Sequence, residues 1–363
     1  MKILIVVGTR PNFIKITQFK KLVHKYPTLE VKIAHTGQHF DKQMADIFFK
    51  ELDIIPDFFL NAIAGNVISQ MTDIMNKLYN LIETTYKPDV LIVVGDVNST
   101  LAASLVGNKL NLKVAHLESG LRSDDREMPE EVNRVLTDVI SDYYFITEQS
   151  GFENLKNREM KGLPFLVGNT MIDTLVYYKD SINDAHILEQ LSITDEDYCL
   201  VTLHRPSNVD NYNGLKNIVS LVNQLTVKRK VVFPIHPRTK GKLEEYGLYT
   251  SLESNDKLIC LGPLDYFSFQ KLVKESKFVV TDSGGIQEET TYYGVPCLTF
   301  RENTERPSTI EIGTNELISF DLGIIDQKVE QIEGGSFKTG RVPELWDGKA
   351  TDRILNILSG IKL

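Results

Sequence analysis

The stretch KFVVTDSGGIQEETTYYGVPCLTF, residues 277–300, contains the pattern that decides the fold. Apolar runs at 277–281 and 295–300 have the length and β-branched content of buried strands, and the segment between them has the composition of a helix. Strand, helix and strand in this order predict a β-α-β unit with parallel strands. The Asp-Ser-Gly-Gly turn resembles an anion-binding loop at a helix N-terminus. Glu288 and Glu289 follow it and would repel an anion, so they need a separate explanation.

The same alternation extends through the whole chain. Continuous apolar runs, which are typical of parallel strands covered on both faces, alternate with amphipathic stretches. The strand-like runs of the first half are 2–7, 31–35, 89–94, 113–117 and 143–147. The stretches with helical spacing are 13–26, 66–86, 99–110 and 130–141. The strand-like runs of the second half are 198–203, 230–235, 257–260, 277–281 and 295–300.

This order predicts an α/β protein with two Rossmann-like, doubly wound domains, residues 1–180 and 181–348. The polar stretch 182–197 interrupts the pattern between the two halves. The last segment, 349–363, is predicted to be a helix that could pack on either domain, including back on the first. Open α/β sheets bind ligands at the carboxyl ends of their strands, so we expect the active site in the cleft between the domains.

Composition excludes several classes of protein. With 363 residues, 42% hydrophobic and 25% charged, the chain has the composition of a globular protein large enough for two domains. Its formal net charge of −9 argues against nucleic acid, which is bound by surplus Lys and Arg. The first apolar run is too short for a signal peptide or a membrane span. Cys199, Cys260 and Cys297 form no C-x-x-C pair, so we expect buried thiols and a cytoplasmic location.

The segment GTRPNFIK, residues 8–15, brings two cations to the end of the first predicted strand. Gly8 permits a tight turn, and Arg10 and Lys15 lie at the start of the next helix, where backbone N–H groups add positive potential. A turn with surface basic residues is the alternative interpretation. Neither G-x-G-x-x-G nor G-x-x-x-x-G-K-[ST] occurs in the chain, so the usual dinucleotide and Walker fingerprints are absent.

Three loops that follow predicted strands carry carboxylates. Asp96 and Glu118 each come directly after a strand-like run, and Glu130 and Glu131 open a helix that starts at a proline. Each of them could simply cap a helix or complement its dipole. Because neighbouring parallel strands end at one edge of a sheet, we expect these carboxylates to converge. Repulsion among them raises some pKa values, which suits general acid and base catalysis.

Two histidines have a matching position in the second half. His204 follows one strand-like run and His236 follows the next, whereas His24, His35 and His186 have no such context. A lone histidine is more often structural than catalytic, but these two lie where a ligand is expected. The chain has no H-E-x-x-H motif and no Cys/His cluster, so we expect no metal site.

Two arginines follow the strand-like run at 295–300. Arg301 and Arg306 thus come after the strand that follows the opening motif, where an arginine can reach a diphosphate held by the Ser283-Gly284-Gly285 turn. A diphosphate bound by the backbone of that turn would attract both guanidinium groups. We therefore expect at least one of them to contact it.

Several longer motifs occur together in one order. They are GTRPNFIK, HTGQHFD, GDVNSTLA, HLESGLRS, MPEEVNRVLTD, HRPSNVD, HPRT, DSGGIQEE and TERP. In these motifs, and in their order along nearly the whole chain, the sequence resembles the non-hydrolysing UDP-N-acetylglucosamine 2-epimerases. The resemblance implies two Rossmann-like domains of the GT-B type, a UDP-sugar substrate, no cofactor and a homodimer.

The resemblance also implies roles for individual residues. The positions that match the family's catalytic group are Asp96, Glu118, Glu130 and His204. The positions that match its nucleotide contacts are Arg10, Lys15, Phe269, Ser283, Gly284, Gly285, Glu289 and Arg306. The positions that match an activator site, where some bacterial members bind a second substrate molecule, are Gln38, Glu130, Arg205 and His236.

For the opening motif, the resemblance separates the anion from the carboxylates. It places the diphosphate at the Ser283-Gly284-Gly285 turn, the ribose hydroxyls at Glu289 and the uracil beside Phe269. Glu289 lies about one helical turn beyond Gly285, which is ~6 Å along the axis. Glu288 points about 100° away from Glu289 around the helix, so we expect it to be a solvated or structural neighbour.

The implied reaction is reversible epimerisation at carbon 2 of UDP-N-acetylglucosamine. It proceeds by anti elimination of UDP to 2-acetamidoglucal and re-addition of UDP, and it serves bacterial surface polysaccharide synthesis. Direct removal of the proton on carbon 2 is costly, and departure of UDP makes that proton more acidic. Cations that hold the nucleotide stabilise the leaving diphosphate, and a carboxylate removes the proton.

The chain departs from the family's usual pattern at several positions. Asn12 stands where many members have Glu, Asp41 replaces a glutamine of the activator site, and HRPSNV at 204–209 replaces the commoner HRREN. A related branch that acts on different UDP-sugars, such as diacetamido-uronic acids or 6-deoxy sugars, shares GQHF and MPEE with this chain. A hydrolysing 2-epimerase, a GT-B glycosyltransferase and a non-enzymatic UDP-sugar sensor are also compatible with these motifs.

Overall fold

The computed structural model describes residues 1–37 and 49–362. They form two compact units, Met1–Tyr177 with Glu344–Leu363, and Tyr178–Pro343. Each unit is a parallel β-sheet with helices, so the predicted class, α/β with two Rossmann-like doubly wound sheets, is confirmed. Within the described ranges, none of the helices combines the length and the hydropathy that a membrane span requires.

The described residues of the first unit contain a seven-stranded parallel sheet. Its strands are β1 (Lys2–Val7), β2 (Glu30–His35), β3 (Phe58–Phe59), β4 (Val90–Val94), β5 (Lys113–Leu117), β6 (Tyr143–Ile146) and β7 (Leu163–Leu166). Their order is β3-β2-β1-β4-β5-β6-β7, so the sheet grows outward in both directions from β1 and β4. Such a switch point is where open α/β sheets bind ligands.

Local signals explain the helices of the first unit. They are α1 (Arg10–Ile14), α2 (Thr17–Leu22), α3 (Val67–Thr84), α4 (Asn98–Lys109), α5 (Pro129–Ile140), α6 (Gln149–Asn157) and α7 (Thr170–Tyr177). Pro11 lies in the first turn of α1, where a proline needs no N–H partner, and Thr9 is the N-cap. The stretch 13–26, predicted to be helical, is divided into the end of α1, α2 and a short 3-10 helix.

The described residues of the second unit contain a six-stranded parallel sheet. Its strands are β8 (Tyr198–Thr202), β9 (Lys230–Pro234), β10 (Leu258–Leu261), β11 (Phe278–Thr281), β12 (Cys297–Phe300) and β13 (Asn315–Ile318). Their order is β10-β9-β8-β11-β12-β13, which puts the switch point between β8 and β11. The loop after β11 is the Asp-Ser-Gly-Gly turn of the opening motif, so that turn lies at the switch point.

The polar stretch predicted to interrupt the pattern belongs to the second unit. The helices of this unit are α8 (Lys179–Asn183), α9 (Ile187–Gln190), α10 (Pro206–Val209), α11 (Tyr212–Lys228), α12 (Pro237–Glu245), α13 (Tyr249–Glu253), α14 (Tyr266–Glu275), α15 (Gly284–Tyr293), α16 (Pro307–Glu311) and α17 (Leu322–Glu333). Ile187, Leu188 and Ile193 are buried in its core. The stretch is thus helical in part, through the end of α8 and through α9, and it packs on the core of the second unit.

The strands that the sequence pattern missed are edge strands. β3 and β7 are the two edges of the first sheet, and β13 is one edge of the second. β3 has only two residues, β7 contains Pro164, and β13 contains Glu316. Edge strands are short, and tolerate proline and charge, because one side of the strand makes no hydrogen bonds to the sheet.

The end of the chain packs on the first unit through α18 (Ala350–Gly360), which contacts α2 and α7. The indole N–H of Trp346, which is buried, donates to the carbonyl of Thr147 over 3.1 Å. Asp173 on α7 accepts hydrogen bonds from the backbone N–H groups of Ala350 (3.0 Å) and Thr351 (2.6 Å). A buried carboxylate therefore caps the N-terminus of α18 from another helix.

Two of the three cysteines are buried as predicted. Cys199 and Cys297 are completely buried, and burial raises the pKa of both thiols, to about 12 and about 11. Cys260, on the edge strand β10, is only partly buried, so the prediction of a buried thiol is wrong there. All three are free thiols.

Candidate functional site

A buried ion pair joins two loops at the switch point of the first sheet. The Lys15 ammonium contacts Oε2 of Glu118, and the two side chains are 8% and 4% exposed. Glu118 has a φ of 70°, in the left-handed region that non-glycine residues adopt only at a cost of about 1 kcal/mol or more. Its other oxygen, Oε1, is buried and has no hydrogen-bond partner in the described parts of the chain. This carboxylate therefore keeps an unused acceptor.

Gly95, the residue before Asp96, makes room for that pair. Its φ is 65°, and a Cβ atom there would lie 3.3 Å from Oε2 of Glu118 and 3.4 Å from the Lys15 ammonium. A side chain at this position would therefore both strain the backbone and press on the ion pair. The glycine of the GDVNST motif is explained by close packing at the site.

Asn12, which departs from the usual Glu of the family, fixes the loop after β1. Its side-chain oxygen accepts from the backbone N–H groups of Gly8 and Thr9, each over 3.2 Å. Its amide donates to the carbonyl of Val94, at the end of β4, over 3.2 Å. An amide supplies the acceptor and the donor that these contacts need, whereas an ionised carboxylate could not donate. Asn12 is thus a structural link between the two loops.

Arg134 on α5 joins Asp96 to one of two adjacent glutamates. Its guanidinium contacts Oδ2 of Asp96 and Oε2 of Glu131, both at 2.6 Å. Glu131 is buried and also accepts from the backbone N–H of Ser123 over 2.9 Å. Glu130, the position predicted to be catalytic, is exposed to solvent. The structure therefore gives Glu131 a structural role and leaves Glu130 accessible to a ligand.

A buried network lies beneath the loop that carries Glu118. His116 is completely buried, with Nδ1 2.6 Å from Oδ1 of Asp138 and Nε2 2.8 Å from the carbonyl oxygen of Gly95. Asp138 also accepts from the guanidinium of Arg122 (2.6 Å) and the N–H of Gly120 (3.2 Å). Burial alone would raise the pKa of Asp138, but His116 and Arg122 hold it below its usual range. The network fixes both the Gly95 carbonyl and the 118–123 loop.

At the switch point of the second sheet, Asp282 positions His204. Oδ1 of Asp282 lies 3.1 Å from Nδ1 of His204, and the carboxylate accepts from the backbone N–H groups of His204 and Arg205. The side chain of Asn208 donates to it over 2.9 Å. Burial opposes ionisation, but His204 and these hydrogen bonds hold the pKa of Asp282 below its usual range. The side chain of His204 is 43% exposed, so a positioned imidazole faces solvent.

His236 lies beside His204. The two ring centroids are 5.8 Å apart, and Nδ1 of His236 accepts from the backbone N–H of Arg238 over 3.2 Å. Burial, the neighbouring His204 and the charge of Arg238 together lower the pKa of His236. The structure thus brings both predicted histidines to adjacent strand ends, after β8 and after β9.

The glycine turn of the opening motif carries the N-terminus of α15, with Ser283 as the N-cap. A Cβ atom at Gly284 would lie 2.7 Å from the Arg306 guanidinium and 2.9 Å from the Glu305 carboxylate, so the glycine allows both to approach the turn. The Arg306 guanidinium is in turn paired with Glu305 and, over 2.8 Å, with Glu288. The cation near the turn is therefore balanced by carboxylates.

Of the two alternatives expected for Glu288, solvated or structural, the structure shows the structural one. Its side chain is completely buried and pairs with Arg306. The side chain of Arg301 is 3% exposed and pairs with Glu305 over 2.6 Å. The apparent conflict between Glu288 and an anion site is resolved by Arg306, because the buried carboxylate has a guanidinium partner.

Glu289 has a different environment from Glu288. It is 5% exposed, and burial raises its pKa to about 8, opposed by the side-chain amide of Gln270 and reinforced by the charge of Glu288. A carboxyl group in this setting favours hydrogen-bonding ligands over charged ones. This difference between adjacent glutamates agrees with the sequence-based separation of their roles.

The sequence that carries these residues matches one protein family. The sequence model described as UDP-N-acetylglucosamine 2-epimerase matches residues 21–359. The chain belongs to this family. The predicted family and enzyme class, a UDP-N-acetylglucosamine 2-epimerase, are thereby confirmed.

Individual relatives show how far the likeness extends. The chain is 39% identical over 366 residues to the UDP-N-acetylglucosamine 2-epimerase of Methanocaldococcus jannaschii, and the alignment covers 99% of both chains. It is 37% identical over 361 residues to the UDP-2,3-diacetamido-2,3-dideoxy-D-glucuronate 2-epimerase of Pseudomonas aeruginosa, covering 95% of this chain and 99% of the relative. A crystal structure of the M. jannaschii enzyme in complex with UDP-GlcNAc and UDP has a TM-score of 0.90 at 38% identity, covering 99% of both chains.

The remaining family positions are distributed over both units. Arg10, partly buried, opens α1, and Phe269, also partly buried, packs on the core of the second unit from α14. Arg205 is the N-cap of α10, next to His204. Gln38 lies outside the described residues. The roles of all these residues, and a shared active site in the predicted cleft, stay predictions.

Several residues that position the predicted site residues were not predicted from the sequence. They are His116, Asp138, Arg122, Arg134, Asp282 and Asn208. His116 opens the HLESGLRS motif and Asp282 opens DSGGIQEE, each within two residues of a predicted site residue. A rule that includes the last strand residues and the first loop residue would have found both. Asp138 and Arg134 lie within α5, where no local signal separates a buried ion pair from a solvated helix face.

Proposed function

We propose that this protein interconverts UDP-N-acetylglucosamine and UDP-N-acetylmannosamine by inverting carbon 2 of the sugar. Membership of the family and the M. jannaschii relative that binds UDP-GlcNAc and UDP support this substrate. The observation that carries the proposal is the buried Glu118, which Lys15 holds on one oxygen while the other, Oε1, has no hydrogen-bond partner in the part of the chain that the structure describes. A carboxylate of this kind, on a strained loop at a strand end, is suited to proton transfer.

The proposed chemistry is an anti elimination followed by re-addition. A carboxylate removes the proton on carbon 2 while the bond between carbon 1 and the diphosphate oxygen breaks. The C–H electron pair becomes the double bond of 2-acetamidoglucal, and the C–O electron pair leaves with UDP. In the return step, the diphosphate oxygen adds to carbon 1 and a proton is delivered to carbon 2 from the opposite face. The sequence is redox-neutral and uses no cofactor.

The first unit would supply the proton-transfer groups. Inversion needs an acceptor on one face of carbon 2 and a donor on the other, so at least two carboxyl groups are required. Asp96, Glu118 and Glu130 are the candidates, from the loops after β4 and β5 and the start of α5. Arg10 and Lys15 are the candidates for nucleotide contacts from this unit.

The second unit would supply the UDP site. We assign the diphosphate to the backbone N–H groups of the Ser283-Gly284-Gly285 turn and to Arg306, and the ribose hydroxyls to Glu289. Phe269 is assigned to the uracil. His204, fixed by Asp282, would donate to the leaving diphosphate, because charge develops there as the C–O bond breaks.

Incubation in heavy water tests the reaction and its mechanism together. The protein is mixed with UDP-N-acetylglucosamine in D₂O and followed by proton NMR and mass spectrometry. We expect the manno epimer to appear, with deuterium at carbon 2 in both epimers. Full equilibration without any label would rule out proton transfer at carbon 2.

The second candidate is epimerisation of a diacetamido-uronic acid attached to UDP. The P. aeruginosa relative that acts on such a sugar is 37% identical, close to the 39% of the M. jannaschii relative. Parallel assays with the two UDP-sugars separate the candidates through kcat/KM. A kcat/KM much higher for the UDP-linked uronic acid would show that it is the substrate, and the proposed elimination and re-addition would still apply.

The heavy-water assay also separates activities that share the UDP-sugar but not the epimerisation. A hydrolysing 2-epimerase releases free N-acetylmannosamine and UDP, which chromatography resolves from the UDP-sugar. A glycosyltransferase needs an acceptor and leaves the UDP-sugar unchanged without one. A sensor binds the UDP-sugar in calorimetry and shows no turnover.

We further propose that the protein is a homodimer and that its product feeds surface polysaccharide synthesis. Three side chains on α5, Val132, Leu136 and Val139, are 42%, 45% and 57% exposed. They lie three and four residues apart, so they form one stripe on the helix surface. A second copy of the chain would cover this apolar stripe. A cytoplasmic location, expected from cysteine usage, likewise stays a prediction.

The activator site implied by the resemblance would include Arg205 and His236 of the second unit. Arg205 and His236 lie on adjacent strand-end loops of the second unit, which agrees with a shared ligand. Asp41 replaces a glutamine that family members have in that site. The test compares initial rates on UDP-N-acetylmannosamine in the absence and in the presence of a small amount of UDP-N-acetylglucosamine. A higher rate in its presence would show that the site is retained.

A further inference from the structure

The side chain of Gln270 is buried with unused hydrogen-bonding capacity. Gln270 lies on α14 and is 1% exposed. Neither Nε2 nor Oε1 makes a hydrogen bond of standard geometry among residues 1–37 and 49–362, and the neighbouring Glu289 carboxyl is a group with which the amide interacts. A buried amide without partners is destabilising, and buried polar groups in native proteins are nearly always satisfied. The amide therefore points to a partner beyond the described residues, in addition to the nearby Glu289 carboxyl.

The surroundings of Gln270 indicate what that partner is. α14 packs against α15, and the Gln270 amide is close enough to the Glu289 carboxyl to lower its pKa, against the larger opposite effect of burial. Tyr293 lies one turn beyond Glu289 on α15, and its buried hydroxyl also has no partner within the described residues. Burial, and then the charge of Glu289, raise the pKa of that hydroxyl.

These three side chains are a set of donors and acceptors without a net cation. An anion has no reason to bind there, because these side chains carry no positive charge and Glu289, when ionised, would repel it. A neutral group with several hydroxyls fits better, since each hydroxyl can donate to the carboxylate and accept from the amide. The ribose of a nucleotide is such a group, and the adjacent glycine turn is the proposed diphosphate site.

Resting on the proposed function, we propose that Gln270 determines specificity for ribose. Its side-chain amide holds the Glu289 carboxylate in position and contacts the vicinal hydroxyls of the nucleotide. The alternative is that Gln270 is only a core residue. In that case an apolar residue of similar size would bury no unsatisfied amide, and the protein would gain stability without any change in ligand selectivity.

Calorimetry with UDP and 2′,3′-dideoxy-UDP separates these possibilities. The variants are Gln270→Leu, with Gln270→Met as a second apolar replacement in case the first does not fold, and the exposed Gln327→Leu as the matched control. For the Gln270 variants we expect UDP affinity to fall about tenfold, the effect of one hydrogen bond in a charged pair. The affinity for dideoxy-UDP should change by less than about twofold, because that ligand makes no such contact.

The ratio of the two affinities decides the outcome. A folded Gln270 variant that keeps the wild-type preference for UDP over dideoxy-UDP overturns the inference. A wild-type protein that binds both nucleotides equally also overturns it, while leaving the proposed function intact. A wild-type protein that binds neither nucleotide overturns the proposed function itself.

Discussion

Nδ1 of His204 lies 3.1 Å from Oδ1 of Asp282, and that carboxylate is completely buried. A carboxylate in this position accepts a hydrogen bond from Nδ1–H and directs Nε2 away from itself, toward the substrate. The same carboxylate accepts from two backbone N–H groups and from Asn208, so it also orders the loop after β8. The imidazole is thereby fixed in both tautomer and direction at the switch point of the second sheet.

Asp282→Asn should disturb the orientation of the His204 imidazole. The amide would present a donor to a ring nitrogen and to backbone donors, which favours the wrong tautomer. We expect kcat to fall on the order of 100-fold, with a smaller change in KM, because the change reaches substrate only through His204. Steady-state kinetics across pH give the result, since the pH profile should shift with the tautomer.

The exposed Asp210→Asn is the control, because it removes a surface ion pair with Arg238 and leaves His204 unchanged. If Asp282→Asn folds and retains wild-type kcat, Asp282 only orders the loop. Circular dichroism of both variants separates loss of the loop from loss of catalysis.

Lys15 and Glu118 should affect the free energy of unfolding in a coupled way, whereas only the loss of Glu118 should decide the loss of kcat. Both side chains are almost fully buried, so removing either partner leaves an unpaired buried charge, at about 3–5 kcal/mol. We expect Lys15→Met and Glu118→Gln each to be strongly destabilised, and the double variant to be destabilised by less than the sum. Denaturant unfolding of the four proteins measures the coupling.

Catalysis should show no such compensation. Glu118→Gln and the double variant should both lose about 100-fold or more in kcat, the usual contribution of a general base. Lys113→Met is the control, because its pair with Asp142 is exposed and should contribute under about 1 kcal/mol. Full activity in the double variant would remove Glu118 from the mechanism.

The adjacent glutamates of α15 should differ, one in stability and the other in binding. Glu288 is completely buried against Arg306, so Glu288→Ala should lower the unfolding free energy by about 1–3 kcal/mol, with Glu305 still pairing the arginine. Glu289→Ala removes a carboxyl whose pKa is raised to about 8, so it should cost little stability and weaken UDP binding instead. Thermal unfolding and calorimetry on both variants test this, and equal effects on UDP affinity would count against the assigned ribose contact.

The environment of Glu288 shows where sequence-based prediction ends. Helical geometry correctly separated Glu288 from Glu289 by direction, but it carried no information on what lies in that direction. The partner, Arg306, comes from a loop after β12, and only tertiary packing brings it within 2.8 Å. The same limit applies to Asp138, whose partners His116 and Arg122 come from another strand end.

Other features were predictable because a local rule decides them. Buried central strands such as β4 are continuous apolar runs in the sequence, and parallel connection rules then place Asp96 and Glu118 at neighbouring strand ends. The edge strands were not predicted, because β3 is short and β13 is partly polar, so that each is defined only by its pairing with a neighbouring strand. The division of the first helical stretch was not predicted either, because the break after Ile14 has no proline or glycine to signal it.

Asp173 should give the protein a pH-dependent stability. Burial raises its pKa to about 6, despite hydrogen bonds from the N-terminus of α18 that favour the charged form. The folded-state pKa lies above the usual 3.8, so the stabilisation is present below about pH 4 and is lost as pH rises through about 6. The loss amounts to about 3 kcal/mol for a shift of this size.

Asp173→Asn removes that titration. Relative to wild type, its unfolding free energy should rise between pH 4 and pH 7 by up to about 3 kcal/mol, measured by urea unfolding at several pH values. The exposed Asp180→Asn should follow the wild-type curve throughout. A constant difference between Asp173→Asn and wild type over this range would show that Asp173 does not titrate there.

The apolar stripe on α5 should control the oligomeric state. Leu136 stands at its centre, 45% exposed between Val132 and Val139. In the proposed homodimer the stripe packs against a second copy, so Leu136→Glu would bury a charge and should release monomers. Sedimentation equilibrium should give twice 41.2 kDa for wild type and 41.2 kDa for the variant. Val227→Glu, on α11 and 70% exposed, is the control and should stay dimeric, whereas a wild-type monomer or a dimeric Leu136→Glu protein would exclude this stripe as the interface.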